Sequence, residues 1–187
     1  MGEIRTFIAV DVPAQCKQRI ADLQKELRAY PGRVTWTRAE GIHVTLKFLG
    51  NVEATRIDAV AEALARAVRG AQRPRLCARG TGAFPSWRSP RVFWIGVEDE
   101  GGNLARIQRA VEEELEGLGF PREGRPFTPH LTLARVKAPG SVAAMVARLR
   151  EVDFRTEPFE AEEILVMRSD LKPQGAEYTP LRRVPIG

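Results

Sequence analysis

The sequence predicts a two-lobed fold of helices and sheets, the lobes related by a pseudo-twofold axis around a central cleft. Three observations predict it. The chain's only two histidines carry the same tail, His43-Val44-Thr45-Leu46 and His130-Leu131-Thr132-Leu133. With 10 Thr and 15 Leu in the chain, a histidine acquires that tail by chance about 0.4% of the time, so two copies favour a repeated device. Each copy also sits in the same order of elements: a helix ends 13 residues before His43 and 12 before His130, and the next begins about 11 residues after each. Finally, no linker or low-complexity segment divides the 187 residues, which read as one domain, 1–187. Two copies of one unit pack most simply about a twofold axis. Each sheet is then covered by helices on one face. The bare faces meet across a cleft, with His43 opposite His130.

The elements follow in order. Residues 6–10 form a short apolar strand. Asp11-Val12-Pro13 opens a helix whose stripe is Ile20, Leu23, Leu27 and Tyr30, stopped by Pro31-Gly32. Residues 34–37 suggest a brief strand. From 43 to 49, Val44, Leu46 and Phe48 alternate with His43, Thr45 and Lys47, the period of a half-buried strand. A second helix runs over 54–69, with Gly70 at its C-terminal cap. Strands at 75–83 and 91–97 flank a turn-rich loop, 84–90, whose Trp87 and Arg88, with Arg91 directly after it, suit either RNA contact or ordinary packing. Asn103 is placed to cap a third helix, with Gly119 beyond its end and Glu112, Glu113, Glu114 and Glu116 on its outer face. Pro126 and Pro129 hold the approach to the second histidine extended. In 130–135, Leu131 and Leu133 lie on one side, and His130 and Thr132 on the other. Ser141 is placed to cap a fourth helix, and strands follow at 152–159, 164–168 and 178–185.

Composition narrows the partners. The net charge of +5 and pI near 9.7 suit an anionic ligand. Of the 29 basic residues 24 are Arg, a bias that codon usage also explains. Cys16 and Cys77 form no CxxC pair and suggest no disulfide framework. There is no signal-peptide pattern and no apolar stretch near the ~20 residues that span a bilayer, so the protein is expected to be soluble and cytoplasmic.

Each strand thus offers an imidazole and a hydroxyl, two residues apart, on its non-core face. Two imidazoles with ordinary pKa values near ~6.5 serve as general acid and general base together. Threonine hydroxyls beside them donate to an oxyanion, and phosphate oxygens are the natural recipients in a basic protein. The chain holds no HExxH, no spaced Cys/His set, no GxxxxGK[ST] loop and no GxSxG elbow, so no metal or nucleotide cofactor is expected. Lys47 shares the face of His43 and Thr45 by parity. Arg135 is one residue out of phase with His130 and Thr132, and reaches the cleft only if the strand twists or bulges.

The doubled His-x-Thr-Leu resembles the signature of the two-histidine (2H) phosphoesterase superfamily. Phe7-Ile8-Ala9-Val10-Asp11, His43 through Gly50, Gly82-Ala83-Phe84-Pro85, Arg125 through Arg135 and Tyr178-Thr179-Pro180-Leu181 are similar to one branch of it. That branch is the RNA 2′,3′-cyclic phosphodiesterases, also called 2′–5′ RNA ligases. The resemblance implies an α+β, bilobal pseudo-twofold 2H phosphoesterase (LigT-like) fold: two antiparallel sheets flanked by helices around a central cleft, in one catalytic domain of two lobes. It implies metal-independent hydrolysis of RNA 2′,3′-cyclic phosphate ends to the 2′-phosphate. His43 would be the proton donor and His130 the proton acceptor. Thr45 and Thr132 would hold non-bridging oxygens, and Arg135 matches the family arginine after the second motif. Lys47 is expected among the substrate-binding residues by its face alone. RNA ends or cyclic nucleotides are the expected partners, with no membrane or protein partner and a monomeric state. Ligation of RNA halves and a non-catalytic RNA-end binding module are the alternatives. Some relatives place an aromatic residue of the N-terminal strand against the base; here Phe7 and Ile8 both stand near that position.

Overall fold

A computed structural model of the chain describes residues 2–187. Its strands are β1 (Glu3–Asp11), β2 (Val34–Trp36), β3 (His43–Glu53), β4 (Arg75–Phe84), β5 (Val92–Glu100), β6 (His130–Val136), β7 (Phe159–Glu160), β8 (Glu163–Asp170) and β9 (Glu177–Pro185). Its helices are α1 (Ala14–Leu27), α2 (Ile57–Ala67), α3 (Asn103–Glu116) and α4 (Ala143–Glu151). The strands form one curled antiparallel sheet in the order β7-β4-β5-β6-β3-β1-β8-β9, with β2 beside β6. The expected two sheets are therefore two halves of one. β3 and β6 join them through a single pair, Val44 opposite Leu131. The order reads alike outward from that seam: β6 answers β3, β5 answers β1, β4 answers β8 and β7 answers β9. In each half a helix follows the inner neighbour (α1 after β1, α3 after β5) and another follows the histidine strand (α2, α4). This is the repeat seen in the sequence.

Burial of each helix's apolar stripe fixes the layers. Ile20 and Leu27 of α1, Val60 and Leu64 of α2, Leu104 and Leu115 of α3, and Leu149 of α4 join Ile8, Val10, Val44, Ile95, Leu131 and Ile164 in one core. The opposite face of the first half buries Phe7, Ala9, Leu165 and Met167 in a small separate cluster against Tyr178. β1 is thus apolar on both faces, as a central strand must be.

Two bulges interrupt the alternation just past the histidine motifs. Against β1, Ile8 pairs with Lys47 but Ala9 pairs with Thr45, leaving Leu46 extra. Against β5, Phe93 pairs with Ala134 but Trp94 pairs with Thr132, leaving Leu133 extra. A bulged residue falls out of the ladder, and its buried carbonyl then needs another donor. Buried glutamines provide one. Gln24 of α1 donates from Nε2 to the Leu133 carbonyl at 3.0 Å, joining the Thr37 amide there at 3.2 Å, and to the Thr37 carbonyl at 2.8 Å. Gln108 of α3 reaches the Leu46 carbonyl at 3.4 Å.

Several expectations are corrected by packing. The first β3 bulge turns Lys47 away from the face of His43 and Thr45. Lys47 is 5% exposed, and its ammonium lies 2.5 Å from Glu112 and 2.6 Å from the Pro121 carbonyl. Glu112 accordingly belongs to the core, not to the outer face of α3. Asn103 does not cap α3: Asp99 does, accepting from the backbone N–H groups of Leu104 and Ala105, because Gly101 and Gly102 turn left-handed ahead of the helix. Ser141 does not cap α4 either; its Oγ accepts from the Arg33 amide and donates to the Ala138 carbonyl. Residues 152–159 are mostly irregular, meeting the sheet through one bridge between Arg155 and Arg79 before β7.

Removing one partner of a buried ion pair leaves an uncompensated charge. Lys47→Ala should therefore lower unfolding stability by about 3–5 kcal/mol in urea titration. A loss no larger than that of a surface substitution would contradict the burial described.

Candidate active site

The seam between the halves gathers the histidines and threonines singled out in the sequence. With Val44 opposite Leu131 and both fully buried, antiparallel register sets His43 across from Thr132 and Thr45 across from His130. The two histidines stand on a diagonal of that pair, where backbones lie about 7–8 Å apart. Alternation sends the four side chains to the face opposite Val44 and Leu131, and all four are partly exposed there. The bulge at Leu133 shifts the parity of β6, so Ala134 is buried and Arg135 is exposed on the site's side. The condition on which Arg135 was expected to reach the cleft is met. Its counterpart in the first half, at the same 87-residue spacing as the histidines, is Phe48, which is 52% exposed. A cleft of about 880 Å³ opens over this seam, lined by Thr45, His130, Thr132 and Arg135.

Both rings are anchored by one device. His43 Nδ1 lies 2.5 Å from the Gly41 carbonyl, and His130 Nδ1 lies 2.8 Å from that of Thr128, each two residues upstream. A carbonyl only accepts, so Nδ1 carries a proton in both rings and Nε2 is the atom that gains or loses one. His43 Nε2 is 3.1 Å from Thr45 Oγ1.

Aromatic rings pack around each imidazole. Phe7 lies 4.8 Å from His43, and Tyr178 meets it edge-on at 5.0 Å. Phe84 meets His130 edge-on at 5.0 Å, with Trp94 at 6.3 Å. Phe7 and Trp94 are again 87 residues apart. Trp94 lies across Gly82 so closely that an added Cβ would fall 2.0 Å from its ring. No side chain but hydrogen fits there. Trp87 packs beside Phe93, so the tryptophan of that loop is a packing residue.

This packing changes the acidity expected from the sequence. Burial lowers the His43 pKa from 6.5 to about 4, and Lys17 and His130 push the same way; the Gly41 carbonyl and Asp11 oppose the shift. Burial also lowers the pKa of His130, aided by Arg135 and opposed by the Thr128 carbonyl. Both rings are therefore neutral near pH 7 when no anion is bound. Lys47 adds nothing to this balance at the seam, since Glu112 holds its charge. Among the described residues, no group of three or more His, Cys, Asp or Glu side chains is arranged to hold a metal ion. No helix among them is long and apolar enough to cross a membrane.

The aromatic shell and the two glutamines escaped sequence reasoning. The spacing that links Phe7 to Trp94 carried a signal for the shell. So did the Gly82–Pro85 and Tyr178–Leu181 motifs, whose Phe84 and Tyr178 touch the rings.

Sheet, helices and paired motifs together define a two-histidine phosphoesterase architecture, and comparison with known proteins agrees. A family described as LigT like Phosphoesterase matches the chain twice, over residues 10–94 and 95–178, one histidine motif in each match. The chain belongs to this family. An Archaeoglobus fulgidus protein named RNA 2′,3′-cyclic phosphodiesterase is 36% identical over 182 residues, covering 96% of this chain and 98% of its own. Among solved structures, TT0787 of Thermus thermophilus superposes with a TM-score of 0.76 at 29% identity, over 97% of each chain. E. coli LigT complexed with 3′-AMP does so with a TM-score of 0.75 at 25% identity, over 98% of each.

The lowered acidity has a measurable consequence. His43 has an ordinary pKa when unfolded, so the unfolded chain binds the extra proton between about pH 6.5 and 4. The stability tied to neutral His43 is complete above about pH 6.5 and is lost as pH falls toward 4. In an NMR titration of the ring Cε1–H signals, His43 should titrate near pH 4 and His130 below 6.5, and a bound phosphate monoester should raise both. Two rings titrating at 6.5, unmoved by the anion, would refute the electrostatic picture.

Proposed function

We propose that this protein hydrolyses 2′,3′-cyclic phosphate ends of RNA to 2′-phosphates, with two histidines and no metal. The observation that carries the reading is the interleaved seam, where the two His-x-Thr pairs flank Val44 and Leu131 on one face, beside the cleft that Thr45, His130, Thr132 and Arg135 line. A cyclic phosphate held there meets His130 on one side and His43 on the other. His130 Nε2 takes a proton from water as its oxygen bonds to phosphorus. The phosphorus–O3′ bond breaks on the opposite side, and O3′ takes the proton of His43 Nε2. The products are a 2′-phosphate and a free 3′-hydroxyl, and the two rings return to their starting states by exchange with solvent. Thr45 and Thr132 donate to the non-bridging oxygens, and Arg135 balances their charge.

Low proton affinity suits the donor, His43. A ring that releases its proton readily is a strong acid toward O3′, and the arriving anion supplies the attraction that loads it. The names of the relatives point to the same substrate class, and the basic surface suits an RNA end.

The test is turnover of a short RNA ending in 2′,3′-cyclic phosphate, in EDTA, with the product identified by phosphorus NMR. Conversion to the 2′-phosphate is expected, and His43→Ala and His130→Ala should each lower kcat by about 10²–10⁴ while keeping the wild-type circular dichroism. Dependence on added metal, or a 3′-phosphate product, would overturn the proposal.

A further inference from the structure

The cleft holds more positive charge than one reacting phosphate can use. Beyond the seam it runs along the second half, walled by residues 121–128 and by the turn between β4 and β5. This wall presents Arg91 and Arg125, both exposed. Neither they nor Arg135 takes part in an ion pair among the described residues; other surface arginines such as Arg69 and Arg109 are unpaired too, but here three share one cleft, beside Arg122, which Glu116 holds, and Glu123. The wall is also firmly held. The buried Lys47 binds the Pro121 carbonyl, Glu112 accepts from the Glu123 amide at 3.2 Å, and Arg56 binds the Leu118 carbonyl. Half-buried Phe127 adds an aromatic side chain to the same wall.

A fixed wall of unpaired arginines with an aromatic ring beside it has the composition of a single-strand nucleic acid track. Charge matching decides between two kinds of substrate. A free cyclic nucleotide brings one phosphorus, which the threonines and Arg135 meet at the seam, and it leaves Arg91 and Arg125 with no anion. A polynucleotide end brings a further phosphate with each nucleotide on the 5′ side of the cyclic one. We infer that Arg91 and Arg125 form a subsite for the phosphates upstream of the reacting end, so that the protein prefers RNA ends to free cyclic nucleotides. The inference rests on the proposed reading of the seam as the place of the terminal phosphate.

Binding to products tests the subsite without needing turnover. The affinity of a six-nucleotide RNA ending in 2′-phosphate is measured by fluorescence anisotropy, and that of 2′-AMP by competition, for the wild type, Arg91→Ala and Arg125→Ala at several salt concentrations. The RNA should bind at least ~10-fold tighter than 2′-AMP, and its salt dependence should fall by about one in slope with each arginine removed. Affinity for 2′-AMP should stay within about twofold of wild type, as expected if these arginines hold only the upstream phosphates. Equal affinity for the two ligands, or variants that weaken both alike, would overturn the subsite. Arginine-dependent RNA binding without hydrolysis of cyclic ends would defeat the proposed reaction and leave the subsite standing. Hydrolysis with arginine-independent binding would do the reverse.

Discussion

One backbone pair, Val44 with Leu131, holds the two halves of the sheet together at the point where chemistry is possible. Everything near the cleft is set by what happens on either side of that pair. The residues flanking it lie on the open face and bring each histidine beside the other motif's threonine. The residues after it bulge, and the bulges decide what comes next to the site. Without the extra Leu133, strict alternation would keep Arg135 on the side of Leu131 and Leu133, which is the core. An unpaired guanidinium buried there would be very costly. The helices stabilise the bulges across the seam: α1 of the first half supplies Gln24 to β6, and α3 of the second supplies Gln108 to β3. Each half thus holds the other's strand in shape.

The twofold relation is one of backbone, and the side chains depart from it where function needs a difference. Lys47 has Ala134 as its counterpart, and Phe48 has Arg135. One half therefore places a cation inside the fold, fastening the wall of the cleft through Glu112 and Pro121. The other half places a cation, Arg135, at the lining of the cleft. The imidazoles differ too. His43 lies among Phe7, Tyr178 and Gly41 and is driven to about pKa 4, while His130 keeps more of the cleft in view. Two copies of one motif become distinct by what surrounds them.

The repeat, the four helices and the strands around the histidines were legible in the sequence because periodicity and the doubled motif report local structure directly. So was the condition for Arg135, which parity alone posed as a question about a bulge. The placement of Lys47 was not legible. A one-residue bulge reverses which face every later side chain occupies, and its donor, Gln24 or Gln108, lies many residues away. The capping of α3 was missed for a similar reason: Asp99 acts from the end of the preceding strand, past two left-handed glycines, while Asn103 occupies the position that local rules favour. The acidity of the histidines likewise depends on burial by rings from four strands, which no local window contains.

The central claim is that two imidazoles flank a single phosphorus at this seam. A crystal structure with a nucleoside vanadate, whose trigonal bipyramid imitates the attacked phosphate, tests it most directly. Both Nε2 atoms are expected within about 2.6–3.2 Å of apical oxygens on opposite sides of the vanadium. A vanadate bound with either ring out of hydrogen-bond reach, or with both on the same side, would contradict the claim.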